Sequence, residues 1–346
     1  MTTQFRFPAE WEPQAAVLIA WPHAGTDWAP RLEAVDATYA ILVAAIAHRQ
    51  TVVVAVANAE VRARATTCVA SSGANADRVR WVEVEYDDTW LRDSGPITLR
   101  AADGSVQFKL LDFRFTGWGG KFGASRDDAL AAALFDAGIF SNASLERVDF
   151  ALEGGAVETD GAGTLLTTWR CMHERHPTLD RAAITTQLQT SLRQARVLWL
   201  DHGYLEGDDT DAHIDTLARF ADPQTLVYQA CSDPSDPHFA ELSAMAAELE
   251  SLRDAEGQPY RCLALPWARP IRDGERRLAA SYANFLIING AVLMPAYGDA
   301  ADTQAAAVLQ AAFPDRDIVS IPCRSLIWQN GSLHCITMQL PAGTLA

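Results

Sequence analysis

No apolar run in this 346-residue chain approaches the roughly 20 residues that a membrane-spanning helix needs. Residues 1–8 lack the basic and apolar regions of a secretion signal, so the expected compartment is the cytoplasm. The six cysteines, at 68, 171, 231, 262, 323 and 335, include no Cys-x-x-Cys pair. They read as reduced thiols, mostly small core residues, and not as a disulfide framework. There is no His-Glu-x-x-His. The His-x-x-His spacing within Cys171-Met172-His173-Glu174-Arg175-His176 has no second cysteine pair beside it, and we read the segment as a loop, not a zinc site. Low-complexity tracts and Pro/Gly/Ser linkers are also missing, which leaves one domain over 1–346 as the expectation. Positive charge is scarce: 28 Lys and Arg face 44 Asp and Glu, a net charge of −16. Such a field repels nucleic acid and anionic membranes and draws in cations, although a solvated acidic surface that keeps the protein soluble accounts for it equally well.

What is present is an alternation of short β-branched runs with longer helical patterns. Strand, helix and strand are expected at 15–20, 31–49 and 51–56, then at 106–112, 127–137 and 145–150. The pattern returns at 164–168, 181–194 and 197–200, at 225–229, 239–254 and 261–265, and at 285–294, 301–313 and 317–321. The polar residues after these sets are spaced regularly. Asp93, Glu153 and His213 stand 60 residues apart, and Cys335 lies 122 further on, close to two more steps. The skipped step falls near Asp273. Equal spacing of unlike residues is what repeated units, each sending one loop to a common centre, would produce.

Each of these loops has a chemical reading beside a structural one. Trp90-Leu91-Arg92-Asp93-Ser94-Gly95-Pro96 follows an alternating strand over 82–86, and its Gly-Pro turn could project Asp93 or simply reverse the chain. Glu153-Gly154-Gly155 ends an apolar strand, either for close backbone approach or as a turn with a solvated carboxylate. In residues 208–215, His213 and Asp215 have the spacing that puts two side chains on one face of an extended segment. An imidazole among carboxylates suits general acid/base work, because nearby negative charge raises its pKa. Cys335 is expected at a strand start after a Gly331-Ser332 turn. Its polar flank makes it the best candidate nucleophile of the six, provided a cation or His⁺ lowers its pKa.

Trp90-Leu91-Arg92-Asp93-Ser94-Gly95-Pro96, Glu153-Gly154-Gly155 with Thr159-Asp160-Gly161, the acidic run ending in Ala212-His213-Ile214-Asp215, and His334-Cys335-Ile336-Thr337 occur in this order. Together they resemble the agmatine deiminase and bacterial-type peptidylarginine deiminase family of the guanidine-modifying superfamily, from Phe7-Pro8-Ala9-Glu10-Trp11-Glu12-Pro13 to Pro341. The resemblance implies an α/β fold, a five-bladed α/β propeller with strand-helix-strand units around a central active site. It implies a hydrolase that converts agmatine to N-carbamoylputrescine and ammonia, toward putrescine, with no metal or organic cofactor. By the same resemblance Cys335 is the nucleophile, His213 the acid/base, Glu153 the carboxylate that orients it, and Asp93 with Asp215 the pair gripping the guanidinium. Carboxylates suit that role because a guanidinium is a planar fork of donors. Departures at Ala212, at 172–177 and at 329–332 leave the reacting groups in place but bear on the pocket. The alternatives are deimination of free or peptidyl arginine and a non-catalytic polyamine-binding role. Trp90, Trp118 and Trp328 are candidates for the substrate tail, with Arg269 and Arg272 the nearest partners for an α-carboxylate. The expected partner is a small cation, with homo-oligomerisation left open.

Overall fold

The computed structural model describes residues 4–346. It divides into two compact units, the first comprising residues up to 154 with 287–290 and 334–346, the second 155–286 with 291–333.

In the first unit one sheet runs Met338–Pro341, Gln14–Ala20, Thr51–Val56, Val79–Glu83. Its last three strands are parallel, while Met338–Pro341 pairs antiparallel with Gln14–Ala20. Thr51–Val56, sequence TVVVAV, is buried at every residue but the first. A near-continuous β-branched run of this kind suits a parallel strand covered on both faces. The crossovers are the helices Leu32–Ala47 and Ala59–Ser71. The second sheet orders Phe5–Arg6, Ile97–Ala101, Phe108–Arg114 and Ala143–Ala151, with helix Asp127–Asp136 linking the final, parallel pair.

The second unit repeats the arrangement of the first. Val157–Thr159 pairs antiparallel with Thr164–Thr168, which pairs parallel with Arg196–Leu200 after the helices Trp169–Arg175 and Arg181–Leu192. Ala218–Asp222, Thr225–Gln229 and Arg261–Leu265 follow the same order around helix Phe239–Ser251. Ala291–Ala296 and Asp317–Pro322 are a further parallel pair, joined by helix Ala301–Ala312. The motif is therefore strand, antiparallel strand, helix, parallel strand, one strand more than the sequence pattern announces.

Most expected elements are present within a few residues, and the differences have local causes. The segment containing Cys171 is a helix, not a loop, because Thr168 caps it by accepting the Cys171 N–H at 3.4 Å. The strand expected at 82–86 is instead Val79–Glu83. The run expected as one strand over 285–294 is broken by Asn289-Gly290, where Gly290 takes φ +71°. Helix Ala59–Ser71 went unread, although Asn58 accepts the Val61 N–H at 3.0 Å as its cap.

The interior of the second unit holds a complete ion pair. Arg219 Nε donates to Glu158 Oε2 at 2.6 Å and its NH1 donates to the Phe285 carbonyl at 2.7 Å. The Arg219 guanidinium also lies 4.8 Å from the Phe285 ring centroid. Removing one member strands the other charge, which costs about 3–5 kcal/mol. Glu158→Ala is expected to lower the unfolding free energy by about that amount in urea titration. Asp201→Ala, which breaks the exposed pair with Arg181, is expected to cost less than about 1 kcal/mol. Equal costs would contradict the burial argument.

Candidate active site

The sequence candidates divide between the units. Trp90, Asp93, Trp118, Glu153 and Cys335 belong to the first, and His213, Asp215 and Trp328 to the second.

In the first unit three segments meet at Arg92. Asp93 is buried in the four-residue helix Leu91–Ser94, and its Oδ2 accepts the Trp118 indole N–H at 2.9 Å. The Arg92 N–H donates to the Cys335 carbonyl at 3.1 Å. On its other side the Arg92 carbonyl leaves no space at Gly154, where a Cβ would sit 2.2 Å from that oxygen and 3.1 Å from Met338 Cε. Glycine follows Glu153 because the chain passes this closely. Glu153 itself is 0% exposed, so the solvated-turn alternative is excluded. Cys335 is 4% exposed. It sits in a turn ahead of strand Met338–Pro341 and not at a strand start, since Thr337 bends back to donate N–H and Oγ1 to the His334 carbonyl at 3.0 and 2.9 Å.

A buried polar network beneath these residues was not anticipated. Glu10 accepts the Ile287 N–H on Oε1 at 2.7 Å and contacts His334 Nε2 on Oε2, also at 2.7 Å. The Arg92 guanidinium lies 3.6 Å from the same carboxylate and reaches the His334 carbonyl at 3.5 Å. Glu10 was in the N-terminal motif, but nothing local marks a Glu between Ala and Trp as buried.

In the second unit His213 and Asp215 are both 0% exposed. They do not share an extended segment. His213 precedes a 3₁₀ turn, Ile214–Thr216, and its carbonyl accepts Thr216 N–H and Oγ1 at 3.2 and 2.9 Å. The approach is organised by Asp208, whose carboxylate accepts Thr210 N–H at 3.0 Å and Ala212 N–H at 2.8 Å. Short acidic and hydroxyl side chains of this kind favour turns over strands. The Asn284 side-chain amide donates to the Asp215 carbonyl at 3.3 Å. Cys171 brings its sulfur within 4.8 Å of a His213 ring nitrogen.

The aromatic candidates differ from one another. Trp90 is buried against Trp28, with centroids 5.7 Å apart, and its indole donates to Asp88. Trp118 adopts φ +56° and is the one in contact with Asp93. Trp328 is half-buried in the 3₁₀ turn Leu326–Gln329, and its carbonyl accepts from Arg276. Arg269 is 80% exposed and paired with Asp299 at 2.8 Å, and Arg272 donates to the Glu275 carbonyl at 2.7 Å. Among the described residues no helix is long and apolar enough to cross a membrane.

Behind Trp90 the first unit also buries acid. Asp127 accepts the N–H groups of Asp87 and Asp88 at 2.8 and 3.2 Å. Burial pushes the Asp88 carboxyl up to about 6 and that of Asp127 up to about 7, the charges of Asp88 and Asp87 adding to the latter.

The sequence pattern of the Porphyromonas-type peptidyl-arginine deiminase family matches residues 6–341. The chain belongs to this family. Among its relatives, the agmatine deiminase of Stutzerimonas stutzeri is 34% identical, across 98% of this chain and 96% of that protein. The C. jejuni agmatine deiminase, solved with substrate bound, superposes with a TM-score of 0.89 at 33% identity, covering 98% of this chain and 97% of its own. A Porphyromonas gingivalis protein provisionally assigned as an arginine deiminase reaches 0.92 at 46% identity, over 99% and 100% of the two chains. An amidinotransferase of Microseira wollei shares the fold alone, at 12% identity and a TM-score of 0.54. The three solved structures are mixed α/β proteins of the deiminase and amidinotransferase fold.

For this family member the raised acids fix a pH dependence. A carboxyl whose folded pKa exceeds its unfolded value stabilises below the unfolded value and loses that contribution as pH rises through the folded one. Asp88 and Asp127 therefore remove stability between about pH 4 and pH 7. Asp88→Asn keeps an acceptor for the Thr89 N–H but cannot ionise. It is expected to flatten the fall in urea midpoint between pH 4.5 and 7.5, and a slope equal to that of the unaltered protein would refute the assignment.

Proposed function

We propose that the chain is an agmatine deiminase that hydrolyses the guanidinium of agmatine to N-carbamoylputrescine and ammonia. The observation that carries this is the convergence on Arg92 of Cys335, Asp93 and the Glu153-Gly154 segment, in a chain whose curated relatives are agmatine deiminases along nearly their whole length. The ligand is a small cation, consistent with the acidic chain and with the substrate-bound relative.

The residues take these roles. Asp93 and Asp215 hold the guanidinium nitrogens with charge-assisted hydrogen bonds. The Cys335 thiolate adds to the central carbon, and the bound cation favours the thiolate over the thiol. His213, held by Glu153, gives a proton to the departing nitrogen, and ammonia leaves as a covalent thiouronium forms. The same imidazole then takes a proton from water as it adds. The carbon–sulfur bond then breaks as the remaining hydroxyl proton passes to solvent, and the neutral ureido product departs with the thiolate restored. Side chains and water account for each step of this cycle, which calls for no cofactor. Trp118, whose indole holds Asp93, is the best supported of the three tryptophans for a place beside the substrate.

The repeated strand, strand, helix, strand motif supports the reading of a five-bladed propeller and a single catalytic domain. No nucleic-acid partner fits the charge, and a cytoplasmic location fits a small metabolite substrate. Whether copies of the chain associate does not affect this chemistry.

One observation favours a second reading, deimination of free or peptidyl arginine. The P. gingivalis relative provisionally assigned to arginine is 46% identical, against 34% and 33% for the S. stutzeri and C. jejuni agmatine deiminases. Against it, Arg269 already serves Asp299 and extends into solvent. Steady-state kinetics on agmatine, arginine and a blocked arginyl peptide separate the readings. A higher kcat/KM for agmatine is expected, and a higher value for either arginine compound would overturn the substrate assignment. Cys335→Ser is expected to abolish turnover on all three, because a serine alkoxide is far harder to form near neutral pH. Retention of a tenth of the activity would refute the covalent route.

A further inference from the structure

The loop that delivers His213 is held by a helix with no place in the chemistry above. Residues 210, 211 and 212 are each tied to helix Trp169–Arg175 or its cap. Thr168 Oγ1 donates to the Ala212 carbonyl at 2.8 Å. Arg175 NH1 donates to Asp211 Oδ2 at 2.7 Å and NH2 donates to the Thr210 carbonyl at 3.1 Å. The Arg175 side chain is 1% exposed, although it ends a short helix beside one of the most acidic loops of the chain. Asp211 and Ala212 adopt φ +65° and +72°. Two consecutive left-handed residues, each with a Cβ, are unfavourable and persist only where the surroundings impose them.

We infer that Arg175 is a positioning residue for His213: its guanidinium holds Asp211 and the Thr210 carbonyl in the left-handed reversal that aims the imidazole. The inference rests on His213 being the acid/base group. The geometry assigns a division of labour within the loop. Asp208 satisfies the N–H groups of Thr210 and Ala212, Thr168 satisfies the Ala212 carbonyl, and Arg175 supplies the positive charge that locks the Asp211 carboxylate against the helix. A lysine could meet the carboxylate but not carboxylate and carbonyl together in the planar fork that arginine offers. Ala212 then needs the clamp, since a glycine there would adopt the left-handed turn without it.

The test is kinetic, on the full-length protein with agmatine. Arg175→Met is expected to lower kcat by roughly 10²-fold, the scale of a small misplacement of a reacting group, with KM changed less than about threefold. Adding Ala212→Gly to Arg175→Met is expected to recover at least about tenfold of that loss, because glycine removes the conformational cost the guanidinium had offset. A kcat within about twofold of the unaltered enzyme overturns the proposal. So does a loss that Ala212→Gly fails to relieve, or one in which KM rises in step, because both mark a purely structural ion pair. If Arg175→Met does not fold, Arg175→Lys decides by the same criteria: a lowered kcat relieved by Ala212→Gly supports the clamp, and an unchanged kcat removes it. His213→Asn is run in parallel. Turnover surviving in His213→Asn would remove the acid/base assignment itself, an outcome distinct from failure of the clamp.

Discussion

The backbone of Arg92 ties together the segments of the first unit that carry Asp93, Glu153 and Cys335. Its N–H is bonded to the Cys335 carbonyl and its carbonyl lies against Gly154, so one residue bridges two segments that are 181 residues apart in sequence. The side chain is engaged as well, with Glu10 and the His334 carbonyl. A buried guanidinium beside a buried carboxylate is costly unless both are fully hydrogen-bonded. Here His334 and the Ile287 N–H bond the Glu10 carboxylate, and the network they form also holds the turn bearing Cys335.

The second unit uses a different device for the same end. His213 is not placed by a deep ion pair on its own backbone but by a loop forced into an unfavourable shape and held from two sides, by Asp208 and by helix Trp169–Arg175. The acidic run 208–211 is therefore not a solvated face. Asp208 is spent on backbone N–H groups, Asp209 accepts from the Asn330 side chain, and Asp211 is paired with Arg175. Part of the charge that reads as a cation-attracting field in the sequence is consumed by local architecture.

How much of this was legible varies with the range of the interaction. Local patterns located the strands well: Thr51–Val56, Thr164–Thr168 and Thr225–Gln229 stand where β-branched residues put them, and Arg261–Leu265 where a short, largely apolar run does. Asn58 and Thr168 carry the cap chemistry of two helices that hydrophobic periodicity does not announce, and the second makes a helix of the segment around Cys171. The short elements bearing the site could not be read from periodicity. Leu91–Ser94 and Ile214–Thr216 span less than a full pattern repeat and exist because distant groups hold them. The Glu10, Arg92 and His334 network joins residues more than 240 positions apart, and no window of sequence contains it. Candidate site residues were identifiable because their motifs resemble a family, and that route carries identities without geometry.

The antiparallel pairing of Met338–Pro341 with Gln14–Ala20 has a consequence for biosynthesis. The sheet that contains Gln14–Ala20 lacks this edge strand until residues 338–341 have been made. A contact of such long sequence separation closes late, since the chain must lose the entropy of a very long loop before the pairing compensates. Until then Gln14–Ala20 offers an unpaired apolar edge, a template for unwanted strand pairing. The segment 334–346 that covers it also carries Cys335, so the thiol proposed as nucleophile and the protection against aggregation arrive in the same closing step.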